Sequence, residues 1–326
     1  MISVRIEEKP DSNWNKRLLE SDLATIYQTK EWASIVSNLG RKPLFLSFLN
    51  DRNEIIGQNL VITSSRLNHH IFMKKILKKI LSEKMLKYSW SYGPIIFNKN
   101  YNSEIYETFA NFLISKKCKI SGTEHPFSQG NVLPFKNNFI VNKWSTFLID
   151  LTKTKEELYE NIDKHSGQKN IERPRNRGVI IEEICKESLR DYVMLVNDAK
   201  KASGNETIDY NHVIFSWKLL KPLGYSGFLA KKNGKPIGGL LFSFVNGHII
   251  EAGVARSKED TENNLYSQDL IKWKIIEWGI NNKMKYYNLA GANPQPKSKK
   301  EEGILRYKKK WGGKKYDYWI IRSKKR

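Results

Sequence analysis

The chain has 326 residues, 40% hydrophobic and 12% aromatic. That is enough apolar content to bury real cores, which excludes a disordered polymer, and the length suits two domains of about 150 residues better than one. Lys and Arg number 56 against 34 Asp and Glu, a net charge of +22. Such a field draws polyanions: nucleic acid, anionic headgroups or nucleotide-linked substrates.

The bland alternative is a lysine-rich solvated surface, but the excess is uneven. Residues 297–326 hold 13 basic side chains against Glu301, Glu302 and Asp317. Two cysteines, Cys118 and Cys185, are too few and too distant for a disulfide framework or a zinc site. They are expected as core thiols in a reducing cytoplasm. The opening MISVRIEEKPDSNW lacks the apolar centre of a signal peptide. No apolar run approaches the roughly 20 residues that span a bilayer.

In chain order, a helix near Glu31–Asn38 precedes an alternating apolar run, a polar turn and a second such run over 40–62, which is a hairpin signal. Residues 66–87 predict a basic amphipathic helix, with Ile71, Ile76, Leu77, Ile80 and Leu81 on one face. It suits an anionic membrane surface or packing on its own domain. A strand is predicted at 88–97, a helix at 102–117 with Ser103 as N-cap, and a strand at 119–124. Residues 164–183, KHSGQKNIERPRNRGVIIEE, predict an extended or turning segment around Pro174 and Gly178.

The first pattern then repeats. A helix at Leu189–Ala202 precedes a hairpin at 224–245 with Asn233-Gly234 at its turn, a strand at 247–255, a helix at 266–283 and a strand at 285–292. Ile56-Gly57 and Ile237-Gly238 fall at matching places, 181 positions apart. One helix–hairpin–strand–helix–strand unit is used twice. The fold class expected is α/β with mixed α+β sheets.

The second unit resembles the acyltransferase fold of the GNAT superfamily. With the duplication, the chain resembles the Fem family (FemABX), peptidyltransferases that build peptidoglycan cross-bridges and carry a BioF2-like acetyltransferase domain. YQTKEW (27–32) is similar to the family's Gln-x-x-x-Trp element, and KNIERPRNRGVIIEE (169–183) to its arginine-bearing segment. GKPIGGLLFSFVNGHIIEAGVA (234–255) is similar to its central hairpin. KYYNLAGANP (285–294) is similar to its Tyr-Asp strand, with Asn288 where the family has Asp. LRYKKKWGG (305–313) is similar to its Phe-Lys-x-x-Phe-Gly signature, with Tyr307 and Trp311 as the aromatics. Order and spacing carry the resemblance, which spans most of the chain.

The resemblance implies two tandem GNAT-like domains, 1–150 and 151–313, with a last strand within 314–326 returning to the first. It implies an activated acyl donor and an amine acceptor on a cell-wall or glycan precursor. Aminoacyl-tRNA is the donor expected, and it fits the positive field. One alternative is an N-acyltransferase that uses acyl-CoA or an acyl carrier protein on an amino sugar. Another is a non-catalytic module on nucleic acid or a membrane surface. A GNAT enzyme cradles the CoA pyrophosphate on a glycine-rich turn at a helix N-terminus, whereas SKEDTENNLYSQDL here is acidic and has no glycine.

Amide formation from an activated ester needs positioning and charge stabilisation rather than an enzyme nucleophile. No G-x-S-x-G elbow or Cys/His pairing is visible. The candidate catalytic residues are Lys308, which the resemblance places in the signature, and two polar strand residues, Glu251 and Asn288. Candidate substrate contacts are Arg175 and Arg177 as phosphate or carboxylate clamps, Tyr307 and Trp311 as stacking surfaces, and Trp32. Lys309 and Lys310 are expected to be solvated or to face phosphate. The histidines, His69-His70 included, lack metal-ligand spacing, so no metal and no cofactor is expected.

Overall fold

The structure is a computed structural model that describes residues 2–65, 86–128 and 130–324. The expected basic helix at 66–87 lies almost wholly outside the described residues. The chain divides into two compact units, Met1–Ser145 with Asp317–Arg326, and Thr146–Tyr316.

The first unit contains β1 (Ser3–Glu7), α1 (Trp14–Leu19), α2 (Lys30–Asn38), β2 (Lys42–Leu49), β3 (Ile55–Ser65), β4 (Leu86–Trp90), β5 (Ile95–Ile96), α3 (Asn102–Ser115), β6 (Lys119–Thr123) and α4 (Leu133–Lys136). Its sheet runs β1-β2-β3-β4-β6, with β5 beside β3. The β4–β6 pair is parallel, joined by the crossover helix α3. Thr29 caps α2, its hydroxyl accepting from the Trp32 amide at 3.1 Å. The expected cap at Ser103 is not the one used: a short turn at Lys99–Tyr101 leads into α3, and Asn98 caps that turn. Apolar side chains of α3, α4 and the sheet, among them Phe48, Trp90, Phe109 and Phe135, form one core. Trp14, Val36 and Phe45 form another.

β7 (Phe139–Asp150) runs from the first unit into the second. The second unit continues with α5 (Lys155–Glu160), α6 (Lys169–Asn176), β8 (Val179–Glu183), α7 (Leu189–Ala202) and α8 (Tyr210–Leu220). Then come β9 (Tyr225–Lys232), β10 (Lys235–Val245), β11 (His248–Arg256), α9 (Lys258–Glu262), α10 (Ser267–Asn281), β12 (Tyr286–Ala292) and α11 (Lys299–Lys309). Its sheet order is β7-β12-β11-β10-β9-β8. Asn233 and Gly234 both have positive φ, 49° and 75°, as a two-residue hairpin turn requires. Helices cover both faces: α10 contributes to one core with Phe228, Phe242 and Trp311, and α7 and α8 to another around Tyr192 and Trp217. β13 (Lys314–Ser323) ends the fold, and its Ile320–Arg322 pair antiparallel with Ser121–Thr123 of β6.

Two expectations need correction. Residues 164–176 are helical: a π-turn at Lys164–Gln168 leads into α6, and the left-handed Gly178 (φ 73°) ends the run. Pro174 is tolerated because Asn170, Ile171 and Pro174 form the buried stripe of α6, and that burial offsets the missing backbone donor. Both thiols are free; Cys118 is half-buried and packs at the margin of the first unit's core, whereas Cys185 is exposed and is not a core residue. Cys185 sits in the turn before α7, where its amide donates to Ser188 Oγ at 2.9 Å.

Candidate active site

β11 and β12 pair in parallel only from His248–Ile250 to Tyr286–Asn288. A bulge then shifts the β10–β11 register between Leu241 and Phe242, which twists β11 locally. Beyond that point lies a cavity of about 620 Å³. Its walls are Glu251, Val254 and Arg256 of β11, Leu289 of β12, the start of α10, and one stripe of α11. That stripe is Lys300, Gly303, Ile304, Tyr307 and Lys308, the three- and four-residue spacing of one helical face. Ser298 caps α11, Glu301 and Glu302 occupy its first turn, and Arg306, Lys308 and Lys309 its last, in the sense that complements the helix dipole.

The interior is ionic. Lys272 of α10 pairs with Glu251, and their side chains are 5% and 9% exposed. Both this lysine and the Tyr287 hydroxyl (2.7 Å) donate to Glu251 Oε1. Lys310 pairs with Asp269 at 7% and 6% exposure. Burial pushes the Asp269 carboxyl up and the Lys310 amine down, and the pairing works against both shifts. The Tyr307 ring lies between the two lysines, with Lys310 Nζ 4.2 Å and Lys272 Nζ 5.7 Å from its centroid. Its buried hydroxyl has no hydrogen-bond partner among the described residues. Burial first, then the Asp269 and Glu251 charges, holds that phenol protonated, well above its ordinary range.

Lys308 differs from Lys272 and Lys310 because no carboxylate pairs with it among the described residues; its Nζ donates to the Leu289 carbonyl. Burial lowers its pKa to about 8, with the Glu251 charge opposing and the Lys272 charge adding to the fall. The cavity wall therefore holds a buried amine of depressed pKa beside two ion pairs.

The other predicted residues fall as follows. Asn288 is buried outside the cavity wall, where its Oδ1 accepts from the Thr146 hydroxyl and, at 2.8 Å, from the Ala290 amide. That second bond closes a turn at Ala290, whose φ is 60°. Trp311 is core, 1% exposed. Arg175 pairs with Glu172 at 3.0 Å. Arg177 donates to the carbonyls of Asn263 and Asn264 at 3.0 and 2.7 Å. Trp32, in the first unit, packs edge-on against Tyr27 at 4.9 Å. Tyr307 lies on α11, in the cavity wall. Lys310 is neither solvated nor facing phosphate, because the buried Asp269 carboxylate takes it.

Asp269, Lys272, Tyr266 and Asn170 escape a reading of the sequence. The available signal was a pair of opposite charges three apart, Asp269 and Lys272, inside the otherwise apolar start of α10.

The N-terminus of α10 is already filled. Asp260, fully buried, accepts from the Ser267 amide at 2.9 Å and pairs with Arg256. Gly238 permits this close docking, since a Cβ there would stand 2.3 Å from Ser267 Oγ. An internal carboxylate thus holds the position at which a helix N-terminus would receive a phosphate. Asp260→Ala is expected to cost roughly 2–3 kcal/mol in chemical denaturation, because cap and ion pair go together, and Asp260→Asn should recover the cap's share.

Among the described residues there is no cluster of metal-ligating side chains and no helix long and apolar enough to cross a membrane. No family model matches the chain. No curated protein matches it either. Solved structures do match. FemX superposes with a TM-score of 0.68 at 11% identity, over 97% of this chain and 96% of that one. The C-terminal domain of a putative lysylphosphatidylglycerol synthetase from Agrobacterium fabrum gives 0.56 at 12% identity, over 96% and 93%. A tandem GNAT protein from the clavulanic acid biosynthesis pathway gives 0.57 at 9% identity, over 99% and 98%. At such identities the likeness speaks for architecture alone: this chain shares its fold with FemX and with the tandem GNAT protein.

Proposed function

We propose that the chain is a Fem-like transferase that moves an aminoacyl group from aminoacyl-tRNA to an amine of a cell-wall or glycan precursor. The observation that carries this reading is Lys308, a buried amine without a carboxylate partner in the cavity wall, beside the Lys272–Glu251 and Lys310–Asp269 pairs.

In the reaction, the neutral acceptor amine attacks the ester carbonyl of the donor. The carbonyl oxygen becomes negative, the carbon–oxygen ester bond breaks, and the ribose oxygen leaves. The amine loses one proton and the leaving oxygen gains one. Lys308, as an ammonium, stabilises the departing alkoxide and supplies its proton, and the proton released by the acceptor amine passes through solvent to restore the ammonium. Its lowered pKa makes it a better donor than a solvated lysine. Glu251 acts through Lys308: its charge favours the protonated amine, and its bond to Tyr287 fixes where that charge stands.

Asp260 favours this donor over acyl-CoA, because the pyrophosphate would meet a buried carboxylate at the α10 N-terminus. Exposed cations beside the cavity on α11, among them Lys299, Lys300, Arg306 and Lys309, suit a phosphate backbone. In a salt series, aminoacyl-tRNA is expected to bind at low salt and to weaken linearly in log–log form, with a slope near −0.7 to −0.9 per neutralised phosphate. No binding at low salt, together with calorimetric binding of acyl-CoA or an acyl carrier protein, would transfer the proposal to an N-acyltransferase of amino sugars.

A further inference from the structure

The cavity wall holds a strained aromatic residue. Tyr266 has φ 53° and ψ 35°, the left-handed region, at the position immediately before α10. A bulky non-glycine residue there costs roughly 1–2 kcal/mol, and helix starts ordinarily use a small polar cap. Tyr266 supplies no cap, since Asp260 does that work from outside the helix. Two residues earlier Asn264 is also left-handed, at φ 48°.

The loop is pinned from α6 and its end. Arg177 bonds the carbonyls of Asn263 and Asn264. The Arg173 guanidinium packs 5.5 Å from the Tyr266 ring centroid and donates to Asn170 Oδ1 at 3.0 Å. Asn170, Asn264 and Tyr266 all line the cavity. A strained residue that its surroundings over-determine, at a cavity wall, marks a working surface. The π-turn that introduces α6 is another such mark.

We infer that Tyr266 is a stacking platform for the base of a terminal adenosine on the acyl donor, with the exposed Asn264 amide beside it to meet the base edge. This inference rests on the nucleotide-linked donor proposed above. A base offers a flat face to the tyrosine ring and a polar edge to an amide, which a plain acyl chain does not. Terminal adenosine occurs both at the 3′ end of tRNA and in coenzyme A, and the two sources are separable.

The test compares the wild-type protein with Tyr266→Asn and Tyr266→Phe. Asparagine tolerates the left-handed region, so the thermal midpoint of Tyr266→Asn should not fall. The probes are a non-hydrolysable 3′-aminoacylamino adenosine and coenzyme A, followed by calorimetry. The expected result is that the first probe binds, about tenfold or more weaker in Tyr266→Asn and nearly unchanged in Tyr266→Phe. If coenzyme A alone binds, with the same dependence on the ring, the platform stands and the tRNA donor falls. Binding of the aminoacyl probe with no loss in Tyr266→Asn overturns the platform while leaving the donor reading intact, and binding of coenzyme A alone with no loss overturns both. Failure of both probes to bind the wild-type protein overturns the platform too.

Discussion

Replacing Lys308 with methionine is expected to lower kcat by about 10³-fold and to leave the protein at least as stable. The two effects share one cause. Burial lowers the pKa of this amine to about 8 from an ordinary 10.5, so at pH 7 the fold carries a penalty for the buried cation. A displacement of that size corresponds to roughly 2–3 kcal/mol after some allowance for screening. Below pH 8 folded and unfolded chains are both protonated, and the penalty is complete. Between about 8 and 10.5 the unfolded chain binds more protons than the folded one, so stability rises with pH through that window. Methionine removes the penalty and flattens that rise, which thermal melts at pH 7 and pH 9.5 would show. The activity limb has the opposite sign. The proton donor is lost above about 8, so kcat in the wild-type protein should fall there. A Lys308→Met protein with full activity would remove this residue from the mechanism.

The second large effect concerns the buried pair. Glu251→Gln leaves the Lys272 ammonium, only 5% exposed, without its counter-charge. Breaking such a pair costs about 3–5 kcal/mol, and denaturant unfolding should show a loss of that order. Glu251→Gln with Lys272→Met should regain much of it, because an uncharged pair of similar volume needs no compensation. Activity should not return with stability. The Glu251 charge supports the protonated form of Lys308 and the Lys272 charge opposes it, so Glu251→Gln should move the alkaline limb of the kcat profile to lower pH, and the double variant should move it less. An unchanged profile in Glu251→Gln would confine Glu251 to holding the fold together.

The repeated unit was legible because its elements follow local rules. β2–β3 and β9–β10 are apolar runs that meet at turn residues, and α3, α7 and α10 carry apolar residues in sufficient density. Lys308 was singled out only by the resemblance, since composition offers no reason to prefer it over Lys309 or Lys310. The helical conformation of α6 was misjudged because Pro174 and Gly178 are strong local breaking signals, and the buried contacts of Ile171 outweigh the first.

By itself, the sequence determined an α/β chain built on a repeated unit and a basic, aromatic segment ending in GILRYKKKWGGKKYDYWIIR. Tertiary structure decided which of those charges matter. Lys310 is buried against Asp269, 41 positions away, Lys272 against Glu251, 21 away, and Lys308 is left with a backbone carbonyl. A local pattern reading assigns every lysine to solvent, because desolvation and pairing depend on which strands part and which helices cover the gap. Tyr266 is the same case for the backbone: nothing in its neighbours predicts a left-handed tyrosine, and Asp260, Arg173 and Arg177 hold that loop only once α6, α9 and α10 have packed together.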